Sequence, residues 1–355
     1  MKIGSVPNIV PIAGGIGAAV ALRRSFARAR EADLTGDVAL VTGGSRGLGL
    51  AMARELADQG CRLVICARDR AELQRAGEDL EQRGVEVLAV ECDVAAKDDV
   101  DRMVAEARRA FGRIDLLVCN AGVIQIGAYH SMELEDFRQS MDIMYWGVLY
   151  PILAVLPEMR ERRSGRIAVV SSIGGKVAVP HMLPYSAAKF AAAGLAEGLR
   201  SELADEGITV THIAPGLTRT GSYLNAYYSG DREGQERQYK VFAPLSSLPF
   251  VSGNTERAAR AYIAAIRRGD GEVLYPPVYN VLAKVYGVAP ATTTWAMGIA
   301  DRLLPDSGEG TGTVPGRVID ERLDAPAVHA ATTFGRAAAE DHLEHPGPTS
   351  VPDPD

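Results

Sequence analysis

The sequence predicts an α/β fold, a doubly wound parallel sheet with helices on both faces. Three observations carry this. Short runs of branched apolar residues alternate with stretches of helical spacing between residues 38 and 275. Those runs are almost continuously apolar, which marks strands buried on both faces in a parallel sheet. The first run ends in a glycine-rich turn that opens a helix. Right-handed crossovers then wind such a chain both ways from its first strand.

In order, VALV at 38–41 is the first strand, and TGGSRGLG at 42–49 follows it. Helical spacing runs over 48–59 and stops at Gly60. CRLVICAR at 61–68 is the second strand, a helix covers 71–83, and VEVLAVECD at 85–93 is the third strand. The next helix opens at Asp98 and sets Val100, Met103, Val104, Ala107 and Phe111 along one face. IDLLVCNAG at 114–122 is the fourth strand and its exit turn. One long helical region covers 134–162, RIAVVSS at 166–172 is the fifth strand, and a helix carrying PYSAAKF at 184–190 comes next. ITVTHIAPG at 208–216 is the sixth strand, and the helix at 255–269 leads into EVLYP.

The chain divides into four stretches. Residues 1–33 form an apolar arm and 34–275 the globular body, with an aperiodic insertion at 221–254. Two short apolar helices fill 276–305. Residues 306–355, rich in Gly, Pro and acid, are expected to be mostly disordered.

Composition narrows the function. The net charge is −7, and ten acidic against three basic residues in 305–355 account for all of it. The rest of the chain is formally neutral and offers no basic field, which excludes nucleic acid as a partner. Cys61, Cys66, Cys92 and Cys119 show neither C-x-x-C pairing nor metal spacing. They read as reduced apolar residues of a cytoplasmic protein, with no metal site. Residues 3–22 carry no charge, and Arg23, Arg24, Arg28 and Arg30 follow. That is about the length that spans a bilayer. Three readings stand: an anchor or associated segment with the body on the cytoplasmic face, a secretory signal with its charges on the wrong side, or an arm packed on protein.

The glycine turn between a strand and a helix is the context that dinucleotide binding requires in a Rossmann-like fold. Glycines let the backbone approach a pyrophosphate, and the helix N-terminus offers it free N–H groups. An acidic residue closing the second strand would hold the ribose of NAD. Here Ala67 and Arg68 stand there, and Arg46 lies inside the turn. Two guanidiniums near the adenosine ribose suit a 2′-phosphate, so NADP(H) is expected over NAD(H). The bland alternative is a pair of solvated arginines. Tyr185 and Lys189 lie one helical turn apart. Either the phenol packs over a lysine stem, or the cation lowers its pKa for proton transfer.

TGGSRGLG, CNAG at 119–122, Ser172, YSAAK at 185–189 and PGLTRT at 215–220 occur in this order. Together they resemble the short-chain dehydrogenase/reductase superfamily over roughly 34–275, making that stretch its dinucleotide-binding catalytic domain. The N-terminal apolar extension and the C-terminal acidic tail lie outside the resemblance. It implies catalysis by Ser172, Tyr185 and Lys189, with Lys189 also holding the nicotinamide ribose. It implies cofactor contacts from Thr42, Gly43, Ser45, Arg46, Gly47, Leu48, Gly49 and Arg68. Asp93 and Val94 would flank the adenine, Asn120, Ala121 and Gly122 would line the cofactor, and Pro215, Gly216 and Thr220 would border the nicotinamide. A homo-oligomer is implied as well.

One departure matters. Many relatives place a water-holding asparagine three residues before a glycine on the long central helix, where this chain has Met144. A thioether cannot hold that water. Cys119 replaces the first asparagine of the usual pair and is expected to be tolerated. In the insertion, Tyr223, Leu224, Tyr227, Tyr228, Phe242, Leu245, Leu248 and Phe250 suit a lid over an apolar pocket, or a packed flap. The expected activity is carbonyl–alcohol interconversion on an apolar, lipid-like substrate. The alternative is an NADP(H)-binding sensor or scaffold with little turnover. His181 reads as a loop histidine near substrate, and His212 as a core or sheet-edge residue.

Overall fold

The computed structural model describes residues 31–249, 251–323 and 325–344. The arm at 3–22 lies outside the described residues, as do Phe250 and 345–355. Seven parallel strands form the central sheet: β1 (Val38–Thr42), β2 (Arg62–Ala67), β3 (Val87–Glu91), β4 (Leu116–Cys119), β6 (Gly165–Val170), β7 (Ile208–Pro215) and β11 (Glu272–Tyr275). Their order is β11-β7-β6-β4-β1-β2-β3. The order reverses between β1 and β4, and in such sheets ligands bind beyond the strand ends at that switch point. Short strands β5 (Gln125–Ile126), β8 (Thr218–Arg219), β9 (Tyr227–Ser229), β10 (Gly253–Asn254) and β12 (Thr313–Pro315) pair outside the sheet.

Side-chain alternation along each strand feeds two cores. Val38 and Leu40 join one and Ala39 and Val41 the other. The first core packs under α3 (Lys97–Phe111), α5 (Gly147–Glu161) and α6 (Leu183–Glu202). The second packs under α1 (Gly47–Asp58), α2 (Arg70–Glu81) and α8 (Thr255–Arg268). Helix starts follow local chemistry. Asp69 accepts from Glu72 N at 2.8 Å, and Asn254 accepts from Arg257 N at 2.9 Å. Helix α3 starts one residue before the expected Asp98, at Lys97.

The region 134–162 is not one α-helix. It comprises α4 (Leu134–Met141), a π-helical turn Asp142–Trp146, and α5. Among the described residues this stretch alone is long and apolar enough to cross a membrane. However, Val148, Ile152, Val155 and Met159 sit in the first core, as in a core helix.

The expected disorder of the tail is corrected by the structure over residues 306–323 and 325–344. Beyond α7 (Arg232–Ser247), α9 (Val278–Val288) and α10 (Pro290–Asp301), the chain forms α11 (Gly316–Arg322), α12 (Pro326–Ala331) and α13 (Thr333–Asp341). Ile319, Leu323, Val328 and Ala339 bury against Tyr223, Tyr228 and Tyr239 in a third core. Sparse apolar residues suffice here because the insertion supplies the large aromatic surface they cover.

Candidate active site

The site begins where β1 stops. Gly43 and Gly47 take left-handed φ angles of 64° and 56°, open to glycine without strain. A Cβ on Gly49 would collide with Gly43 O. The turn therefore folds tightly enough to aim the first amides of α1 into the crevice. Asn120, at the end of β4, clamps it from the other side of the switch point. Its Nδ2 donates to Thr42 O at 3.0 Å and Gly43 O at 3.1 Å, while Asn120 N and Ala121 N donate to Thr42 Oγ1.

Around this cradle opens a cavity of about 990 Å³. Its walls include Gly43, Ser45, Arg46, Gly47, Leu48, Gly49, Arg68, Asp93, Val94, Asn120, Ala121, Gly122, Ser172, Tyr185, Lys189, Pro215, Gly216 and Thr220. Thr42 is the one expected contact that does not line it; it is buried and holds the Asn120 loop instead. The glycine cradle and the crevice at the switch point fit a dinucleotide. Arg46 contacts two carboxylates, Glu72 at 3.5 Å and Glu344 at 3.8 Å, while Arg68 is exposed.

At the other end of the cavity, β6 delivers Ser172 and α6 delivers Tyr185 and Lys189. Ser172 Oγ accepts from Gly174 N at 3.0 Å, which fixes its rotamer. A Cβ on Gly174 would lie 3.1 Å from Tyr185 Cε1 and 3.4 Å from Ser172 Oγ. Serine and phenol thus share one small space that a side chain at position 174 would crowd.

The pKa expectation for this pair is corrected. Burial raises the Tyr185 hydroxyl above the ordinary phenol range, and a hydrogen bond with Ser172 opposes the rise. The Lys189 ammonium does not reverse it: Nζ lies 5.8 Å from the ring centroid and donates to Val170 O at 2.9 Å. Burial lowers Lys189 itself to about 8, so it stays mostly charged at neutral pH. Met144, in the π-helical turn, is fully buried. A Cβ on Gly122 would sit 3.4 Å from Lys189 Nζ and 3.6 Å from Met144 Sδ, so the thioether borders the lysine pocket.

The far wall is apolar, with Ile124, Ile126, Val177, Met182, Phe242, Leu245 and Leu282 among its residues. Of the expected lid residues, Tyr227, Phe242 and Leu245 line the cavity. Tyr223, Leu224 and Tyr228 do not; they are buried in the third core, because the tail folds over them. His181 lines the cavity at φ 60°, with Nδ1 2.7 Å from Gln238 Nε2. Gln238, Tyr279, Met297 and Glu344 also line it and were not identified from sequence. No spacing marks them, since three lie in segments that only tertiary packing brings to the site. His212 is a core residue, 1% exposed.

The family model described as short chain dehydrogenase matches residues 37–226. The chain belongs to the short-chain dehydrogenase/reductase family. It is therefore an oxidoreductase that depends on a nicotinamide cofactor, NAD(P). Similar proteins include 11-beta-hydroxysteroid dehydrogenase A of Sesamum indicum, 32% identical over 70% of this chain and 71% of its own. Oxidoreductase UcpA of Salmonella typhimurium is 41% identical over 53% of this chain and 71% of its own. Among solved structures, a short-chain dehydrogenase from Streptomyces avermitilis aligns with a TM-score of 0.64 and 27% identity, covering 75% of this chain and 98% of its own. Levodione reductase aligns with a TM-score of 0.59 and 26% identity, covering 68% and 96%.

Proposed function

We propose that this dehydrogenase is an NADP(H)-dependent enzyme that interconverts a carbonyl and an alcohol on an apolar, lipid-like substrate, with Tyr185 as its acid and base. The observation that carries this reading is one continuous cavity. It joins the glycine cradle to Ser172, Tyr185 and Lys189, and its far wall is apolar.

A nicotinamide dinucleotide held by the glycine turn, Asn120 and Lys189 would supply or accept the hydride. In reduction, Ser172 Oγ and the Tyr185 hydroxyl donate hydrogen bonds to the carbonyl oxygen as charge grows on it. Tyr185, kept protonated by burial, then gives up its proton. Lys189 would hold the nicotinamide ribose, and its Nζ, 5.8 Å from the Tyr185 ring centroid, offers a positive charge when the proton has left. Ile124, Val177, Met182 and Phe242 exclude water and hold the substrate. Tyr185→Phe should lower turnover about a hundredfold or more, the scale of general acid–base catalysis, in a steady-state assay over a carbonyl and alcohol panel. A fully active variant sinks the assignment.

Arg46 and Arg68, which both line the cavity, support the preference for NADP(H). Comparison of kcat/KM with the two cofactors tests it, and equal or better efficiency with NAD(H) refutes it. The N-terminal segment is proposed to associate the enzyme with the cytoplasmic face of a membrane, and a homo-oligomer is proposed from the family. Exposed Val278, Val281 and Val288, at 65%, 62% and 88%, lie on α9, the helix whose Tyr279 and Leu282 line the cavity, and support an apolar environment there. Met144 beside Lys189 favours a second reading, an NADP(H)-binding sensor or scaffold subunit. An NADPH-oxidation screen over varied carbonyls separates the two.

A further inference from the structure

We propose that residues 333–344 are an intramolecular gate, which seats the Glu344 carboxylate in the dinucleotide's phosphate cradle and must be displaced for the dinucleotide to bind. The inference deepens the reading above and rests on the glycine turn as the phosphate site.

The contacts coincide with those a pyrophosphate needs. Gly47 N, at the start of α1, donates to His342 O at 2.8 Å. A Cβ on Gly47 would collide with Glu344 Oε1, so the carboxylate lies where a close backbone approach was reserved. Asn225 Nδ2 donates to Glu344 Oε2 at 2.7 Å and to Glu344 O at 2.8 Å. Thr220 also hydrogen-bonds the carboxylate, and Arg46 lies 3.8 Å from it. An anion at a helix N-terminus, ringed by amide, hydroxyl and guanidinium, is the chemistry of phosphate recognition.

The segment is docked but not inserted in the sheet. Arg54 Nη1 donates to Asp341 O at 2.7 Å, and His342 Nε2 lies 3.2 Å from Glu256. Glu344 is 4% exposed, and burial raises its carboxyl above the ordinary range. A buried carboxylate carries a desolvation cost that leaving the cradle relieves. A pyrophosphate competing for the same donors therefore meets an occupant that is held less firmly than its contacts suggest.

The test uses the full chain with NADPH and NADH as probes. Isothermal titration should show that Glu344→Ala and Arg54→Ala, the second removing the tether to Asp341 O outside the cavity lining, each bind the preferred dinucleotide more tightly. The expected gain is about 5- to 150-fold, the usual range of coupling between competing states. In the unaltered protein, saturating dinucleotide should speed amide hydrogen exchange across 333–344. Unchanged or weaker affinity in both variants, or slowed exchange in 333–344, overturns the gate. Loss of turnover in Tyr185→Phe with no gating effect leaves the catalytic reading standing alone; tighter binding in Glu344→Ala with an active Tyr185→Phe leaves only the gate. If no form binds either dinucleotide, both fall.

Discussion

Glu272 shows what one residue does at the edge of this site. It lies 2.7 Å from Lys176 Nζ and 3.2 Å from His212 Nδ1, and His212 Nε2 lies 2.5 Å from Ser171 Oγ. The chain of contacts ties the loop after β6, which carries Ser172, to β7 and β11. The neighbouring His212 imidazole, 3.2 Å away, and the Lys176 ammonium hold the Glu272 carboxyl at about 2, against a burial effect that opposes them. Its folded value is below its unfolded value of 4.5. It therefore adds stability above pH 4.5 that is lost as pH falls through about 2. The side chain is 41% exposed, so solvent screening weakens the effect. Thermal melts from pH 7 to pH 2 should show Glu272→Gln less stable at neutrality and converging with the unaltered protein in acid. A gap of constant size would refute the linkage. That Tyr185 and Lys189 are neighbours was legible in the sequence from helical spacing, and a catalytic role for them only from the family resemblance. Their pKa directions were not, because burial depends on which loops close over them.

At the level of elements, the glycine turn was fully legible and the tail was not. Strand, turn and helix each have local signals, and TGGSRGLG carries all three within eight residues. The π-helical turn at Met144 has no such signal, and it splits a region whose spacing reads as one helix. Helices α11 to α13 carry too few apolar residues to predict burial alone; they fold because Tyr223, Tyr228 and Tyr239 wait for them. The geometry of the turn makes a sharp prediction. In Gly49→Ala the new methyl meets Gly43 O and comes 2.5 Å from Asn120 Nδ2. The turn must shift and lose its clamp, costing about 1–3 kcal/mol as overpacking does and weakening dinucleotide affinity at least tenfold (about 1.4 kcal/mol). Gly194→Ala on α6 is the control, since its Cβ would meet nothing within 4 Å. It should be neutral or stabilising by up to about 1 kcal/mol. Urea melts and dinucleotide titrations of the two variants decide the matter.

Across the whole molecule, the cavity is a seam between the doubly wound body and a lobe made from the insertion and the tail. The body contributes the cradle, Ser172, Tyr185 and Lys189; the lobe contributes Phe242, Leu245, Gln238 and Glu344. The lobe has its own centre. Tyr239 is fully buried, with ring centroids 5.4 Å from Tyr228 and 6.0 Å from Tyr223. Its hydroxyl donates to Asp320 at 2.6 Å, and Arg336 donates to the same oxygen at 2.6 Å. Tyr239 therefore ties α7 to β9 and the turn at Tyr223 through its ring, and to α11 and, by way of Asp320, α13 through its hydroxyl. Tyr239→Ala should cost about 3–5 kcal/mol, as large aromatic truncations do, and leave Asp320 short of a donor. The two cores of the sheet do not include this residue, so the loss should fall on the lobe first. Hydrogen exchange should rise across 223–247 and 316–344 while β1, β4 and β6 stay protected. Uniform loss of protection through the sheet would mean that body and lobe unfold as one unit and that the seam is not a boundary.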